Sequence, residues 1–171
     1  TSSAQIGESL GLSASALSWV SSAYTLTFGG FLLLSGRLSD LLGRKRIFLI
    51  GLLIFGFSSL MIGLSKTAEM VIIMRAVQGI GSSIIAPTTL ALIMDAYQNN
   101  MRQRAISYYG ATAGIGSSIG LLVGGGLTSL ISWRAGFLIN VPFTLVLFIL
   151  TLKYVKSSAR RKETIDYLGS L

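Results

Sequence analysis

The sequence has no cysteine, no histidine and few charged residues, which make up 12% of its 171 positions. Without cysteine, the chain can form neither a disulfide framework nor a thiolate metal site. Without histidine, it lacks the commonest metal ligand and the usual general base of enzymes. We therefore expect a protein that is not an enzyme and that holds no cofactor and no metal ion.

Apolar residues dominate what is present. Hydrophobic residues make up 51% of the chain, there are 20 glycines, and the mean hydropathy is +0.71. Soluble domains carry about twice this share of charged residues, roughly 25%. The apolar residues form runs of about 20, the length that a helix needs to cross a bilayer. The chain does not start with methionine and shows no cleavable signal pattern, so we expect it to be part of a longer polypeptide.

The order of the apolar runs predicts an all-α, polytopic bundle of membrane helices. Residues 1–12 are too short to cross a bilayer and are predicted to be the end of a truncated first transmembrane helix. Residues 153–163 form a basic segment, and residues 164–171 are predicted to start the next helix. Five complete transmembrane helices are predicted between these ends, at residues 16–34, 47–64, 70–94, 105–130 and 135–152.

Lysine and arginine are distributed unequally between alternate loops. Eleven of the 14 lie in residues 35–46, 95–104 and 153–163, two lie in the alternate loops, and Arg75 lies within a span. The positive-inside rule places the three basic loops on the cytoplasmic side of the cell membrane. The net charge of +8 does not indicate nucleic-acid binding, because the basic residues are scattered rather than gathered on one solvated surface. We expect a lipid bilayer as a partner, and no nucleic acid.

The densest group of charges lies between the first two complete spans, in the sequence G-R-L-S-D-L-L-G-R-K-R from Gly36 to Arg46. Asp40 and Arg44 are four residues apart and would face each other on a helical turn. An ordinary basic surface loop would explain the arginines and the lysine, but neither Asp40 nor the glycines Gly36 and Gly43. The pattern G-x-L-x-D-x-x-G-R-K-R resembles the signature loop between the second and third helices of major facilitator superfamily transporters.

This resemblance implies the N-terminal six-helix half of a major facilitator fold, with the first helix truncated. In that family an acidic residue near the end of the fourth span joins the signature-loop aspartate and arginine in a charge cluster that holds the outward-facing state together. We therefore predict that Asp95 lies within ion-pair distance of Arg44; a solvated carboxylate at a helix end is the alternative. The resemblance assigns the signature loop and conformational switch to Gly36, Asp40, Gly43, Arg44, Lys45, Arg46 and Asp95.

Arg75 lies inside a predicted span, about five residues from its start. A charge so close to a helix end can extend to the membrane interface, which is the first interpretation. The second rests on Gln78 and Gly79, which follow at i+3 and i+4 and therefore share its helix face. A face with two polar side chains and a bare backbone patch avoids lipid.

The stretch R-A-V-Q-G-I-G, which begins at Arg75, looks like the fourth-helix motif of proton-coupled drug exporters. The arginine of that motif is implicated in coupling proton movement to substrate. The resemblance therefore assigns proton coupling to Arg75, Gln78 and Gly79. A permanently charged guanidinium lowers the pKa of a nearby carboxylic acid, and we expect this acid on the first helix before Thr1 or in the missing half.

The fifth span is rich in glycine, and Gly116, Gly120 and Gly124 are four residues apart. Small residues at this interval let two helices approach closely, so simple packing is one interpretation. Together with Gly125, the order is similar to the antiporter motif of exporters, which implies a role in gating. That motif has a proline after the second glycine, whereas this chain has Leu121, which removes the expected kink.

The sequence W-R-A-G-F-L-I-N-V-P, from Trp133 to Pro142, resembles the start of the sixth helix in the fourteen-helix branch of drug and proton antiporters. Ala135 stands where that branch has a second tryptophan. We expect Trp133 at the membrane interface and Arg134 in water.

These resemblances predict proton-coupled efflux of a small, lipophilic or cationic compound by alternating access. The proton gradient would supply the energy, and the C-terminal half of the same polypeptide would be the structural partner. A uniporter or symporter for a metabolite is an alternative within the superfamily, because the signature loop is shared. A membrane-embedded binding or sensor module is the alternative outside transport. A channel would require rings of like side chains, which the sequence does not show.

Overall fold

The structure is a computed structural model that describes residues 2–156, with side chains from residue 5 onward. Every regular element in this range is an α-helix, as the sequence predicts. The helices are α1 (Ser2–Leu10), α2 (Ala14–Leu42), α3 (Arg44–Leu64), α4 (Ala68–Ala96), α5 (Asn99–Leu130), α6 (Trp133–Leu138) and α7 (Asn140–Tyr154).

Five segments of the described chain are long and apolar enough to cross a membrane, namely α2, α3, α4, α5 and the pair α6 and α7 taken together. Helix α1 has nine residues, too few to span a bilayer; that residues 1–12 are the end of a truncated helix stays a prediction. Residues 157–163 of the predicted basic segment, and the predicted helix start at 164–171, lie outside the described residues.

The helices extend beyond the predicted apolar spans. The predicted loop at 35–46 is helical except for Gly43, whose φ of 98° suits glycine. In the predicted loop at 95–104, only Tyr97 and Gln98 separate α4 from α5. The bilayer limits where charged side chains lie, not where a helix ends, and arginine, lysine and leucine all favour helix.

Polar caps set two of the helix starts earlier than hydropathy predicts. The Ser13 side chain accepts a hydrogen bond from the Ala16 amide and begins α2, and the Thr67 side chain accepts one from the Met70 amide and begins α4. Such caps satisfy amide groups that have no partner within the helix. The spans predicted to begin at residues 16 and 70 therefore start two residues earlier.

The last predicted span, 135–152, is longer than expected and interrupted. It runs from Trp133 to Tyr154 and breaks at Ile139 between α6 and α7. Pro142 lies in the first turn of α7, where its missing amide hydrogen and its ring are tolerated. Because proline cannot donate to the carbonyl four residues earlier, α6 ends at Leu138.

Helices α2, α3 and α4 form the centre of the bundle, and small residues let them approach closely. A Cβ atom on Gly79 of α4 would overlap Thr27 and the Tyr24 carbonyl of α2. The Thr27 hydroxyl donates to the Ala76 carbonyl across the same interface, with 2.8 Å between the oxygens. This is the packing that small side chains permit between membrane helices.

The apolar core at one end of the bundle joins five helices. It consists of the buried side chains of Ile6, Val20, Ile62, Val71 and Trp133. The expected interfacial position of Trp133 is wrong, since this residue is only 2% exposed and its Nε1 donates to Ser9 Oγ at 2.8 Å. Helix α1 covers the indole, which hydropathy alone could not indicate.

Arg134 is also placed differently from the prediction. Its Nη2 donates to the Ser65 carbonyl at 2.9 Å, and its guanidinium lies 4.4 Å from the centre of the Trp133 ring. The side chain is therefore part of the packing between α6 and the end of α3 rather than free in water.

Candidate functional site

Two polar clusters lie near opposite ends of α4. The first, here called the Arg44 cluster, consists of Asp40, Arg44 and Asp95. The second, here called the Arg75 network, consists of Val20, Ser59, Arg75 and Gln78. Arg75 and Asp95 are 20 residues apart on one helix, which corresponds to about 30 Å at the rise of an α-helix.

The Arg44 cluster joins the ends of three helices through one guanidinium. Arg44 begins α3, and its Nη2 lies 2.9 Å from the Oδ1 of Asp40 on α2. Its Nη1 lies 2.6 Å from the Oδ1 of Asp95 on α4 and donates to the Ala91 carbonyl at 2.9 Å. The predicted proximity of Asp95 and Arg44 is therefore confirmed, while the role of these residues as a switch stays a prediction.

Exposure limits what these ion pairs contribute to stability. The side chains of Arg44, Asp40 and Asp95 are 21%, 52% and 42% exposed. Ion pairs this exposed contribute about 0–1 kcal/mol each. A cluster of this kind fixes the relative positions of helix ends but is weak enough to break in another conformation.

The remaining residues of the signature sequence are distributed around this cluster. Lys45 Nζ donates to the Leu152 carbonyl in the last turn of α7 at 3.0 Å, a contact that the sequence did not indicate. Cations are favoured at this end of a helix. Arg46 is exposed, and Gly36 lies within α2 with open space beside its Cα. Within the described residues, the structure thus links Asp40, Arg44 and Asp95 but not Gly36 or Arg46.

An open cavity of about 1090 Å³ lies beside the Arg44 cluster. Arg102 and Lys156 line it together with residues of the cluster, and Arg102 Nε donates to the Tyr97 carbonyl at 3.0 Å. In the part of the chain that the structure describes, no three metal-binding side chains come together.

The link between Arg44 and Asp95 can be measured with a double-mutant cycle. We expect the variants Arg44→Gln and Asp95→Asn to show a coupling free energy of about 0.2–1 kcal/mol, as exposed pairs do. The measurement is denaturant unfolding of the purified full-length protein. Glu69 lies in the first turn of α4, at the other end of the helix, so a cycle with Glu69→Gln is the matched control. Equal coupling in both cycles would contradict the ion pair.

The Arg75 network is a chain of hydrogen bonds inside the bundle. Arg75 Nε donates to the Val20 carbonyl of α2 at 3.0 Å, and its Nη1 donates to Gln78 Oε1 at 2.8 Å. Gln78 Nε2 in turn donates to Ser59 Oγ of α3 at 2.7 Å. Gln78 is 2% exposed and Ser59 is fully buried. Arg75 is therefore turned into the bundle, where its guanidinium contacts α2, α4 and α6.

Two aromatic rings flank the guanidinium of Arg75. Its Cζ lies 4.4 Å from the ring centre of Tyr24 on α2 and 5.8 Å from that of Phe137 on α6. Both distances are within the range of cation–π attraction. Within the described residues Arg75 forms no ion pair, so its charge is balanced by carbonyl, amide and ring groups.

The shared face of Arg75, Gln78 and Gly79 is packed as predicted. Gln78 and Gly79 are both buried, and α2 covers the bare backbone at Gly79. Sequence reasoning missed Val20, Ser59 and the two rings. The serine was visible as a polar residue in the apolar α3, but its partner on α4 depends on how the helices pack.

The glycine-rich face of α5 has no neighbour in the described part of the chain. A Cβ atom added at any of four glycines would meet no atom within 4 Å, and Thr128 is the one buried residue assigned to this helix. The predicted packing and gating roles therefore require a partner outside the described residues, and they stay predictions. The four are Gly116, Gly120, Gly124 and Gly125.

Comparison with known proteins extends these observations. The sequence profile of the Major Facilitator Superfamily matches residues 1–167. The MFS-type transporter EfpA of Mycobacterium tuberculosis (strain ATCC 25618 / H37Rv) is 40% identical over 168 residues, which are 98% of this chain and 32% of that protein. Multidrug resistance protein 3 of Bacillus subtilis (strain 168) is 37% identical over 154 residues, 90% of this chain and 30% of that protein.

Further similarity comes from a resistance protein and from a solved structure. Puromycin resistance protein pur8 of Streptomyces alboniger is 43% identical over 138 residues, 80% of this chain and 27% of that protein. A crystal structure of the peptide transporter POT superposes with a TM-score of 0.76 over 85% of this chain and 31% of that one, at 20% identity, which shows the fold alone. The chain spans between 27% and 32% of the length of these three relatives. It belongs to the Major Facilitator Superfamily, a family of membrane transporters rather than enzymes.

Proposed function

We propose that the full-length protein exports small lipophilic or cationic compounds in exchange for protons, by alternating access. The described helices would supply most of its N-terminal six-helix half. The observation that carries the proposal is the Arg75 network, in which a guanidinium is held inside an apolar span by Val20 and Gln78. A charged side chain within a membrane span is costly and is most often retained for function.

The charge of Arg75 suits proton coupling. Two neutral acceptors hold the guanidinium, and the described residues provide no carboxylate for it. A carboxylic acid brought close by the rest of the polypeptide would be stabilised in its deprotonated form. Binding of a proton or of a cationic compound at that acid would then be mutually exclusive, which is the condition for exchange.

The Arg44 cluster would bias the two access states. Its ion pairs connect α2, α3 and α4 at one end of the bundle, and each is weak enough to break. A transporter needs contacts that exist in one state and are lost in the other. The cluster therefore supports a switching role for Asp40, Arg44 and Asp95, with Lys45 joining α7 to the same group.

The names of the relatives support export as the direction of transport. One is named for multidrug resistance and another for puromycin resistance. The structural neighbour is named a peptide transporter, and that name does not give a direction of transport. The direction and the coupling ion must therefore be tested on the full-length protein.

The test uses inside-out vesicles that contain the full-length protein and a lipophilic cationic dye. We expect the vesicles to accumulate dye when respiration acidifies their interior, and to release it when an uncoupler is added. Vesicles without the protein are the control. Accumulation that an uncoupler does not affect would contradict proton exchange. Proton-driven uptake seen only in right-side-out vesicles would indicate a symporter instead.

A further inference from the structure

Ser59 lies at the end of the Arg75 network, on a helix that forms no hydrogen bond with the guanidinium. The serine belongs to α3, is fully buried, and accepts a hydrogen bond of 2.7 Å from Gln78 Nε2. Gln78 belongs to α4 and is itself 2% exposed. The pair therefore connects two helices at a place where water cannot replace either partner.

The orientation of the Gln78 amide follows from the chemistry of its two neighbours. A guanidinium has only donors, so Gln78 must turn its oxygen toward Arg75. The amide nitrogen then points away from Arg75 and requires an acceptor in a buried position. Ser59 Oγ is that acceptor. A buried amide donor that loses its acceptor is destabilised, and the amide would rotate or shift to find another.

The other contacts of Arg75 do not fix the guanidinium by themselves. The Val20 carbonyl holds Nε, and the rings of Tyr24 and Phe137 lie against the planar group. Ring contacts permit sliding, and a single hydrogen bond permits rotation about its axis. The contact between Nη1 and Gln78 supplies the second fixed point, so the amide determines which way the guanidinium is directed.

We propose that Ser59 is a positioning residue for Arg75 that acts through Gln78. It sets the orientation of the Gln78 amide, and the amide sets the orientation of the guanidinium. The effect of Ser59 on transport rests on the proposed function, whereas its effect on Arg75 does not.

The neighbouring serine provides a matched control. Ser58 is also fully buried on α3, but its hydroxyl donates within the same helix, to the carbonyls of Ile54 at 2.8 Å and Phe55 at 3.1 Å. Removing either hydroxyl deletes the same atom from the same helix. Only the change at Ser59 removes a contact with the Arg75 network.

The first experiment follows Arg75 directly and needs no transport. Purified full-length protein is treated with phenylglyoxal, which modifies arginine, and labelling of Arg75 is followed by mass spectrometry. We expect Ser59→Ala to raise the labelling rate about threefold or more, because a buried amide that loses its acceptor shifts and no longer holds the guanidinium in place. Ser58→Ala should label like the wild type. Equal rates in Ser59→Ala and wild type would overturn the proposal.

A second set of variants keeps the experiment decisive. Ser59→Cys retains the size of the side chain but offers a weaker acceptor, and it serves if Ser59→Ala does not fold. In a Gln78→Leu background, Ser59→Ala should cause no further increase in labelling, because the serine acts through the amide. An increase of the same size in that background would contradict the route through Gln78.

Transport measurements then distinguish a failure of this proposal from a failure of the proposed function. If the protein exchanges protons, Ser59→Ala should lower proton-driven export about fivefold and shift its pH profile, while Ser58→Ala leaves both unchanged. A wild-type protein that moves no protons would refute the proposed function, and the labelling would still decide the role of Ser59. Wild-type exchange together with unchanged labelling in Ser59→Ala would refute the role of Ser59 alone.

Discussion

Replacing Arg75 with lysine in the full-length protein should lower proton-driven export by about tenfold or more, although the protein still reaches the membrane. The guanidinium donates in two directions, from Nε to the Val20 carbonyl and from Nη1 to Gln78. An ammonium group keeps the charge but lacks this planar pair of donors. Arg75→Ala should abolish export, because it removes the charge as well and leaves Gln78 without its donor.

The measurement is dye accumulation in inside-out vesicles, normalised to the amount of transporter in the membrane. Arg134→Lys is the matched control, since Arg134 also lies on a ring and donates to a backbone carbonyl but is outside the Arg75 network. We expect this variant to retain most of the activity. Undiminished export by both Arg75 variants would remove the assignment of proton coupling to this residue.

Gly79→Ala should destabilise the protein by about 1–3 kcal/mol, the range for overpacked sites. The added methyl would overlap Thr27 and the Tyr24 carbonyl and lie 3.2 Å from the Phe28 amide nitrogen. Backbone atoms cannot rotate aside, so α2 and α4 would have to separate. The separation would also stretch the bond between Arg75 and Val20, and we therefore expect export to fall together with stability.

Gly136→Ala provides the comparison for this change. A methyl group there would meet Thr128 Oγ1 at 3.7 Å, which is an ordinary contact. Thermal unfolding of both variants in detergent should show a lowered midpoint for Gly79→Ala and little change for Gly136→Ala. Equal midpoints would mean that α2 and α4 are not packed as tightly as the structure shows.

Hydropathy predicted the membrane spans because backbone groups in lipid must be satisfied within one helix. It could not predict where the helices end. Gly43 alone interrupts the helical backbone in the predicted loop at 35–46, and the caps at Ser13 and Thr67 lengthen α2 and α4. Helix ends depend on capping side chains and on helix propensity, and the pattern of apolar residues indicates neither.

Residues that share one helix face were predictable, but contacts between helices were not. The shared face of Arg75, Gln78 and Gly79 followed from their spacing alone. The pairing of Gln78 with Ser59 requires the packing of α3 against α4. The burial of Trp133 requires α1 to cover it. Neither the packing of α3 against α4 nor that of α1 over Trp133 can be inferred from the local sequence of these helices.

The contacts of the Arg44 cluster could be predicted only in part. The spacing of Asp40 and Arg44 predicted that they would face each other on a helical turn, and they do form an ion pair, although Gly43 interrupts the helix between them. The contact of Arg44 with Asp95, 51 residues away in the chain, was predicted only from the resemblance to the family. The contact between Lys45 and the end of α7 could be predicted neither from spacing nor from the resemblance, because it depends on where α7 ends beside α3.

The most direct test of the account is proton movement by the purified full-length protein in liposomes that contain a trapped pH dye. An outward gradient of a transported lipophilic cation should drive protons inward and acidify the interior. Arg75→Lys should reduce this acidification strongly, and Arg134→Lys should not. A wild-type protein that carries the cation down its gradient without any change in internal pH would contradict proton exchange.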